Sequence, residues 1–287
     1  MLLDILTRVT AVVFVMVVLA TPLVFWVERI RRSEPEWNRL HPVGLRLEWR
    51  SRVSETLPVA VVLIAVLWIN RVVRQDLPAI SEQYGIRMTW AFYELEGEGA
   101  TILAFERVAT TGLTQFFSFI YIYAYVFLLV FPVILYVTLA DTRPLRRLLT
   151  AYTVNYAIGV CIYVLVHAYG PRNILAGELE HVLYEFRPRY QHLTGDVNHN
   201  TNVFPSLHTS LAATVAIFAY RTRETFLLWT PIAVFLAVCV AISTMYLAIH
   251  WAIDVVAGLV LAAVAVWLAD QLVSGPRPVG LVRRLTE

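Results

Sequence analysis

Two histidines and one aspartate stand at the edges of long apolar runs. His208 opens one run, and His250 with Asp254 opens another. Ionisable groups in membrane spans are costly to place, so they mark function by default. No Lys or Arg occurs between residues 226 and 276. His250 and Asp254 are four apart, which on a helix sets them on one face within hydrogen-bonding reach. A carboxylate holding one ring nitrogen fixes the tautomer and leaves the other nitrogen as a directed lone pair. That suits a nucleophile or a general base. Pro205 fits the first position of a helix, and the amides near Ser206 and Leu207, with the helix dipole, then form an anion site. His208 lies one turn in, placed to give or take a proton beside that anion. Anion cradle, buttressed His and second His point to phosphoryl transfer that requires no metal.

Other polar groups have plainer readings. His167 reads as a hydrogen-bonded packing group inside an apolar helix. His181, His192 and His199 fall in a polar loop and read as surface residues. Thr209 and Ser210 can bond back to helix carbonyls. The chain is 59% hydrophobic and 15% charged, with mean hydropathy +0.65, above any ordinary soluble domain. A net charge of +2 supports no polyanion partner, so nucleic acid is not expected. All 23 basic residues are Arg, which excludes Schiff-base chemistry on a lysine and a retinal receptor. Cys161 and Cys239 sit in apolar segments and form neither a disulfide framework nor a metal pattern.

These groups need a frame of spanning helices. Residues 9–27 are uncharged between Arg8 and Glu28, enough for one span. They read as an anchor rather than a signal peptide, because no small-residue cleavage site follows. Further spans are expected at 56–70, 108–140, 148–171, 205–220, 225–249 and 250–269, the one at 205–220 being short. The 33-residue run 108–140 exceeds one span, so its early part should lie at the surface or tilt. With the N-terminus outside, the inner segments hold 15 arginines and the outer segments 8. The positive-inside rule then puts both motifs on the outer face of the cell membrane. Residues 28–55, with Trp37 and Trp49, suggest helical pieces along the inner interface. Residues 76–107 carry six acidic residues with Trp90, Phe92 and Tyr93. Both a cap over the site and a solvated loop remain open for them.

At these residues the chain resembles a known family. Pro205-Ser206-Leu207-His208 looks like the PSGH motif of the type 2 phosphatidic acid phosphatase superfamily. Ser243 through Asp254 looks like its SRxxxxxHxxxD motif, and the two His are 42 apart, with one helical hairpin between them as in that family. The resemblance covers roughly residues 149–270. It implies that His250 attacks phosphorus, that Asp254 orients it, that His208 protonates the leaving oxygen, and that Ser206 helps bind phosphate. It also implies an all-α integral membrane fold of about seven transmembrane helices: a six-helix phosphatase-like core over 57–287, preceded by one extra helix within 1–56. Leu207 replaces Gly and Thr244 replaces Arg, and in this FPSLH and STMYLxxHxxxD are similar to the inositol phosphorylceramide synthase branch, which moves phosphorylated head groups between lipids. The upstream KxxxxxxRP motif is missing, with Glu180 where its Lys would stand before Arg187-Pro188. A phosphate needs cationic donors. Arg172, after Tyr169-Gly170-Pro171, is the first choice for the lost charge, Arg187 the next, and Arg189 an ordinary loop arginine. No cofactor is implied. The expected partners are the bilayer and a membrane lipid phosphate.

Two other classes compete. A proton-coupled transporter could use buried His and Asp as a relay, but such proteins more often show inverted repeats, and this chain has none. Two His and one Asp could bind zinc, but no HExxH helix or clustered histidine box accompanies them.

Overall fold

Inside hydrocarbon every backbone N–H and C=O must find a partner within its own segment, so the apolar runs have to become helices. The computed structural model describes residues 2–32, 49–179 and 203–273, and they are almost entirely helical. Two long helices come first, α1 (Leu2–Arg31) and α2 (Trp49–Val73). Short pieces follow: α3 (Leu77–Tyr84), strand β1 (Ile86–Arg87), α4 (Thr89–Leu95) and α5 (Ala100–Arg107). Then α6 (Thr111–Phe119) passes through a π-helical turn, Ile120–Ala124, into α7 (Tyr125–Val137). α8 (Arg143–Leu165), β2 (Val166–His167) and α9 (Pro171–Ile174) follow. The two histidine motifs fall at the starts and ends of the last three helices, α10 (Leu207–Arg221), α11 (Trp229–Tyr246) and α12 (Ala252–Leu272). Arg187, Arg189, Glu180, His181, His192 and His199 lie outside the described residues.

Six helical stretches are long and apolar enough to cross a membrane: α1, α2, the continuous α6–α7 unit, α8, α11 and α12. The chain is therefore an all-α, multi-pass membrane protein. The seventh expected span is α10, and it is short. Its 15 residues reach about 22 Å at 1.5 Å per residue, against a hydrocarbon core of ~30 Å. α10 tolerates this because it is the innermost helix, packed against α7, α8, α11 and α12. Leu211, Ala212, Val215, Phe218 and Ala219 are buried along it. In the run at 108–140, residues 108–110 precede the helix, Thr110 caps α6 by accepting from the Leu113 amide, and Thr111–Val137 is one long unit.

Large rings fill the core where α7 meets α11, with Phe131 and Trp229 at 4.9 Å between centroids. α2 buries none of its apolar window and turns Val61, Ile64 and Trp68 outward. In lipid such a face is solvated, not exposed. Pro22, Pro58 and Pro132 sit inside helices, as membrane helices allow.

Successive helices run up and down, so the two ends of the bundle differ. At one end buried Glu28 accepts from the Leu227 amide (2.6 Å) and pairs with Arg31 (2.8 Å). There too Arg221 meets Asp270 at 2.7 Å, and Arg52 donates to the Val137 carbonyl at 2.6 Å. The other end carries His208, His250 and the segment 76–107. That segment is a cap, which decides between the two readings left open. β1 pairs with β2 in parallel, Ile86 opposite Val166 and Arg87 opposite His167. Phe92 and Ile102 are buried with Ala168, Val203, Ala248 and Trp251.

Candidate active site

The site is built at a chain reversal. α11 ends in a turn where Ile249 and His250 both donate to the Thr244 carbonyl, at 2.9 and 3.0 Å. Ala248 takes a left-handed conformation there, φ 52°, a state that costs a non-glycine residue on the order of 1–2 kcal/mol. The turn is held from outside as well. The Arg172 amide donates to the Ala248 carbonyl at 3.0 Å, and Trp251 Nε1 donates to the Tyr169 carbonyl at 2.9 Å. Gly170 permits this approach, since a Cβ there would lie 2.6 Å from the Ile249 carbonyl oxygen.

His250 precedes the helix rather than opening it. Trp251 is the N-cap of α12, and Asp254 stands at its third helical position. A carboxylate at that position reaches back to the N-cap amide, and Asp254 Oδ2 accepts from Trp251 N at 2.8 Å. The same oxygen lies 3.4 Å from His250 Nδ1. The two side chains meet as the spacing predicted, but through a helix cap and not through one face of a helix. His250 is 3% exposed and Asp254 is sealed off at 0%. Asp254 Oδ1 is buried with no hydrogen-bond partner among the described residues.

The second motif also folds differently from the expectation. The helix begins at Leu207, two residues beyond Pro205, and Ser206 is the N-cap. Its Oγ accepts from the Thr209 amide at 3.3 Å, and its own amide donates to the Asp254 carbonyl at 3.0 Å. Proline has no side-chain oxygen to accept at that cap, so the helix start shifts to where a hydroxyl can. Tyr163 donates to the Pro205 carbonyl at 3.1 Å. α12 comes close enough because of Gly258, where a Cβ would stand 2.5 Å from the Ser206 carbonyl oxygen. His208 is half-buried, between Tyr121 (4.6 Å between centroids, near-parallel) and Tyr125 (4.5 Å). Its ring centroid is 6.2 Å from that of His250.

Four residues thus converge from two helix starts: Ser206, His208, His250 and Asp254. Arg172 joins them through its backbone at Ala248, while Arg187 lies outside the described residues. Three neighbours went unread in the sequence. Tyr121 and Tyr125 looked like ordinary span aromatics. Glu96 reaches in from the cap, and its Oε1 accepts from the Ile253 amide at 2.8 Å, at the start of α12. Burial raises its carboxyl above the ordinary carboxylate range, against the lowering effect of that amide. Arg74 sits, half-buried, at the corner between α2 and α3, within electrostatic reach of His208. His167 is a hydrogen-bonded packing group as expected, but in β2 beyond the end of α8 and not inside a helix, its Nδ1 2.9 Å from Ser81 Oγ. Burial pushes its ring below the ordinary value.

A family model described as the PAP2 superfamily matches residues 100–268. The chain belongs to the PAP2 superfamily. The match takes in the cap from α5 onward, both histidine motifs and most of α12. PAP2 membership makes the chain a phosphatase-type lipid enzyme in broad class. No curated protein and no solved structure matches the chain.

Proposed function

We propose that this PAP2 protein is a metal-independent lipid phosphatase or head-group phosphotransferase that works through a phosphohistidine. The observation that carries the reading is the pairing of His250 with buried Asp254, facing His208 across a gap bordered by the Ser206 helix cap. With Nδ1 held toward Asp254, His250 Nε2 carries the lone pair. It attacks phosphorus as the bond from phosphorus to the leaving lipid oxygen breaks, and that oxygen takes the electron pair. His208 supplies its proton. The resulting phosphohistidine is resolved when His208, now neutral, takes a proton from an incoming hydroxyl. That oxygen bonds to phosphorus, and the phosphorus–nitrogen bond returns its electrons to His250. Water as the acceptor gives hydrolysis, and a lipid or sugar hydroxyl gives head-group transfer, as in the inositol phosphorylceramide synthase branch. Ser206 and the start of α10 meet the phosphate oxygens, with Arg172 supplying charge from the far side of the turn. The site lies on the outer face of the cell membrane.

The test incubates purified protein with labelled phosphatidate and isoprenoid phosphates, with and without an alcohol acceptor. The parent releases phosphate or forms the transfer product in excess EDTA, and His250→Ala forms neither. Activity lost to EDTA and restored by zinc or magnesium would overturn the reading, as would an active, folded His250→Ala protein.

A further inference from the structure

A cation stands at the α2–α3 corner, which packs beside the start of α10. Val73 and Leu77 flank Arg74 in the chain. They pack with Tyr156 and Tyr163 of α8, Leu207 of α10 and Leu261 of α12. The corner is therefore fixed to the wall formed by Tyr163, whose hydroxyl bonds to Pro205. Leu207, a member of that cluster, stands between Ser206 and His208 in the chain. The Arg74 side chain is half-buried, and its charge acts on His208, Tyr156 and Tyr163. Arg71, one turn earlier, is exposed. Among the described residues no carboxylate pairs with Arg74.

A half-buried guanidinium with no carboxylate partner among the described residues is open to an anion. A phosphate suits it well, because the planar fork offers two parallel donors to two oxygens. The chain has no lysine for this task. We propose that Arg74 is a phosphate-binding residue of the active site, meeting the substrate's phosphoryl oxygens on the His208 side while Arg172 stands on the His250 side. This rests on the phosphotransfer reading. It adds that the first charged contact comes from a helix corner far upstream of both motifs.

The experiment uses the full chain in detergent and reads phosphate binding apart from chemistry. Inorganic phosphate raises the parent's Tm, because it binds only the folded state. It raises that of His250→Ala too, since that variant keeps the cations. Arg74→Gln loses the phosphate-dependent rise and about a hundredfold in turnover, the usual scale for one preorganised donor. Arg74→Lys recovers part of both, and Arg71→Gln matches the parent. Should Arg74→Gln not fold, Arg74→Met retains the packing of the stem and decides the question. Parent-like phosphate response and turnover in folded Arg74→Gln or Arg74→Met, beside an inactive His250→Ala, overturns the role of Arg74 and leaves the phosphohistidine intact. An active His250→Ala overturns the phosphohistidine, while the Tm response still judges Arg74. A parent that shows no rise overturns the role of Arg74.

Discussion

Asp254 Oδ2 serves two donors, the Trp251 amide at 2.8 Å and His250 Nδ1 at 3.4 Å. The shorter bond is the helix cap, so the carboxylate is anchored first and the imidazole aligns to it. Replacing Asp254 by Asn keeps the acceptor oxygen for the cap but offers no charge to an imidazolium. Turnover should fall on the order of ten-thousandfold, the cost of the same change in hydrolytic triads, while far-UV circular dichroism and Tm stay near the parent's. A large loss of Tm would mean that Asp254 acts mainly as a cap. Glu96 gives a pH signature of its own. Its folded-state carboxyl is raised by burial, so its contribution to stability is full below the unfolded value of about 4.3. That contribution is lost as pH rises through the higher folded value. The parent's Tm advantage over Glu96→Gln should therefore be largest near pH 4 and shrink toward neutrality. An advantage that grows with pH would contradict the burial. The pair of histidines and its aspartate were legible from spacing, because they stand close to one another in the chain. Tyr121, Tyr125, Glu96 and Arg74 were not, since each reaches the site from an element more than eighty residues away from the histidine it serves, and only packing brings them there.

At the level of elements, the site depends on how closely α12 approaches the start of α10. Gly258→Ala would set a methyl 2.5 Å from the Ser206 carbonyl oxygen and 3.2 Å from Thr209 Cβ. The first of these is backbone, so the helices must separate. A cost of about 1–3 kcal/mol is usual for such overpacking. Lower Tm with a larger loss of turnover is expected, because the Ser206 amide bond to the Asp254 carbonyl is strained at the same point. Parent-like turnover in Gly258→Ala would show that the two helix starts tolerate separation. The π-helical turn between α6 and α7 belongs to the same argument. Such turns concentrate at functional sites, and this one carries Tyr121 and leads into Tyr125, the two rings on either side of His208. Apolar run lengths reveal no such turn, because it changes hydrogen-bond register without changing composition. The start of α10 was misread by two residues for a similar reason. Proline and serine both signal a helix start, and the contest between them is settled by which one can accept a hydrogen bond from the chain ahead.

On the scale of the whole molecule, the alternation of helices places both histidine motifs and the cap at one end and most of the described arginines at the other. That follows from run lengths and turn positions, and so it was legible. The proposed orientation, motifs outside, is checked in a background lacking Cys161 and Cys239. Cysteine at Glu94, exposed on the cap, should react with an impermeant thiol reagent in intact cells, and cysteine at Arg223 should not. The opposite pattern reverses the molecule in the membrane. The number of full spans was less legible, because a fifteen-residue apolar run looks like a span that has merely been cut short. Its shortness has a consequence for where the reaction takes place. Arg221, at the far end of α10, is tied to Asp270 at 2.7 Å. With that pair level with the polar surface, about 22 Å of helix leaves Ser206 and His208 roughly 8 Å below the opposite head-group plane of a ~30 Å hydrocarbon layer. A lipid phosphate would then descend to the histidines instead of being lifted out of its leaflet. On the proposed lipid-phosphate reading, the work of delivery then depends on the thickness of the surrounding bilayer.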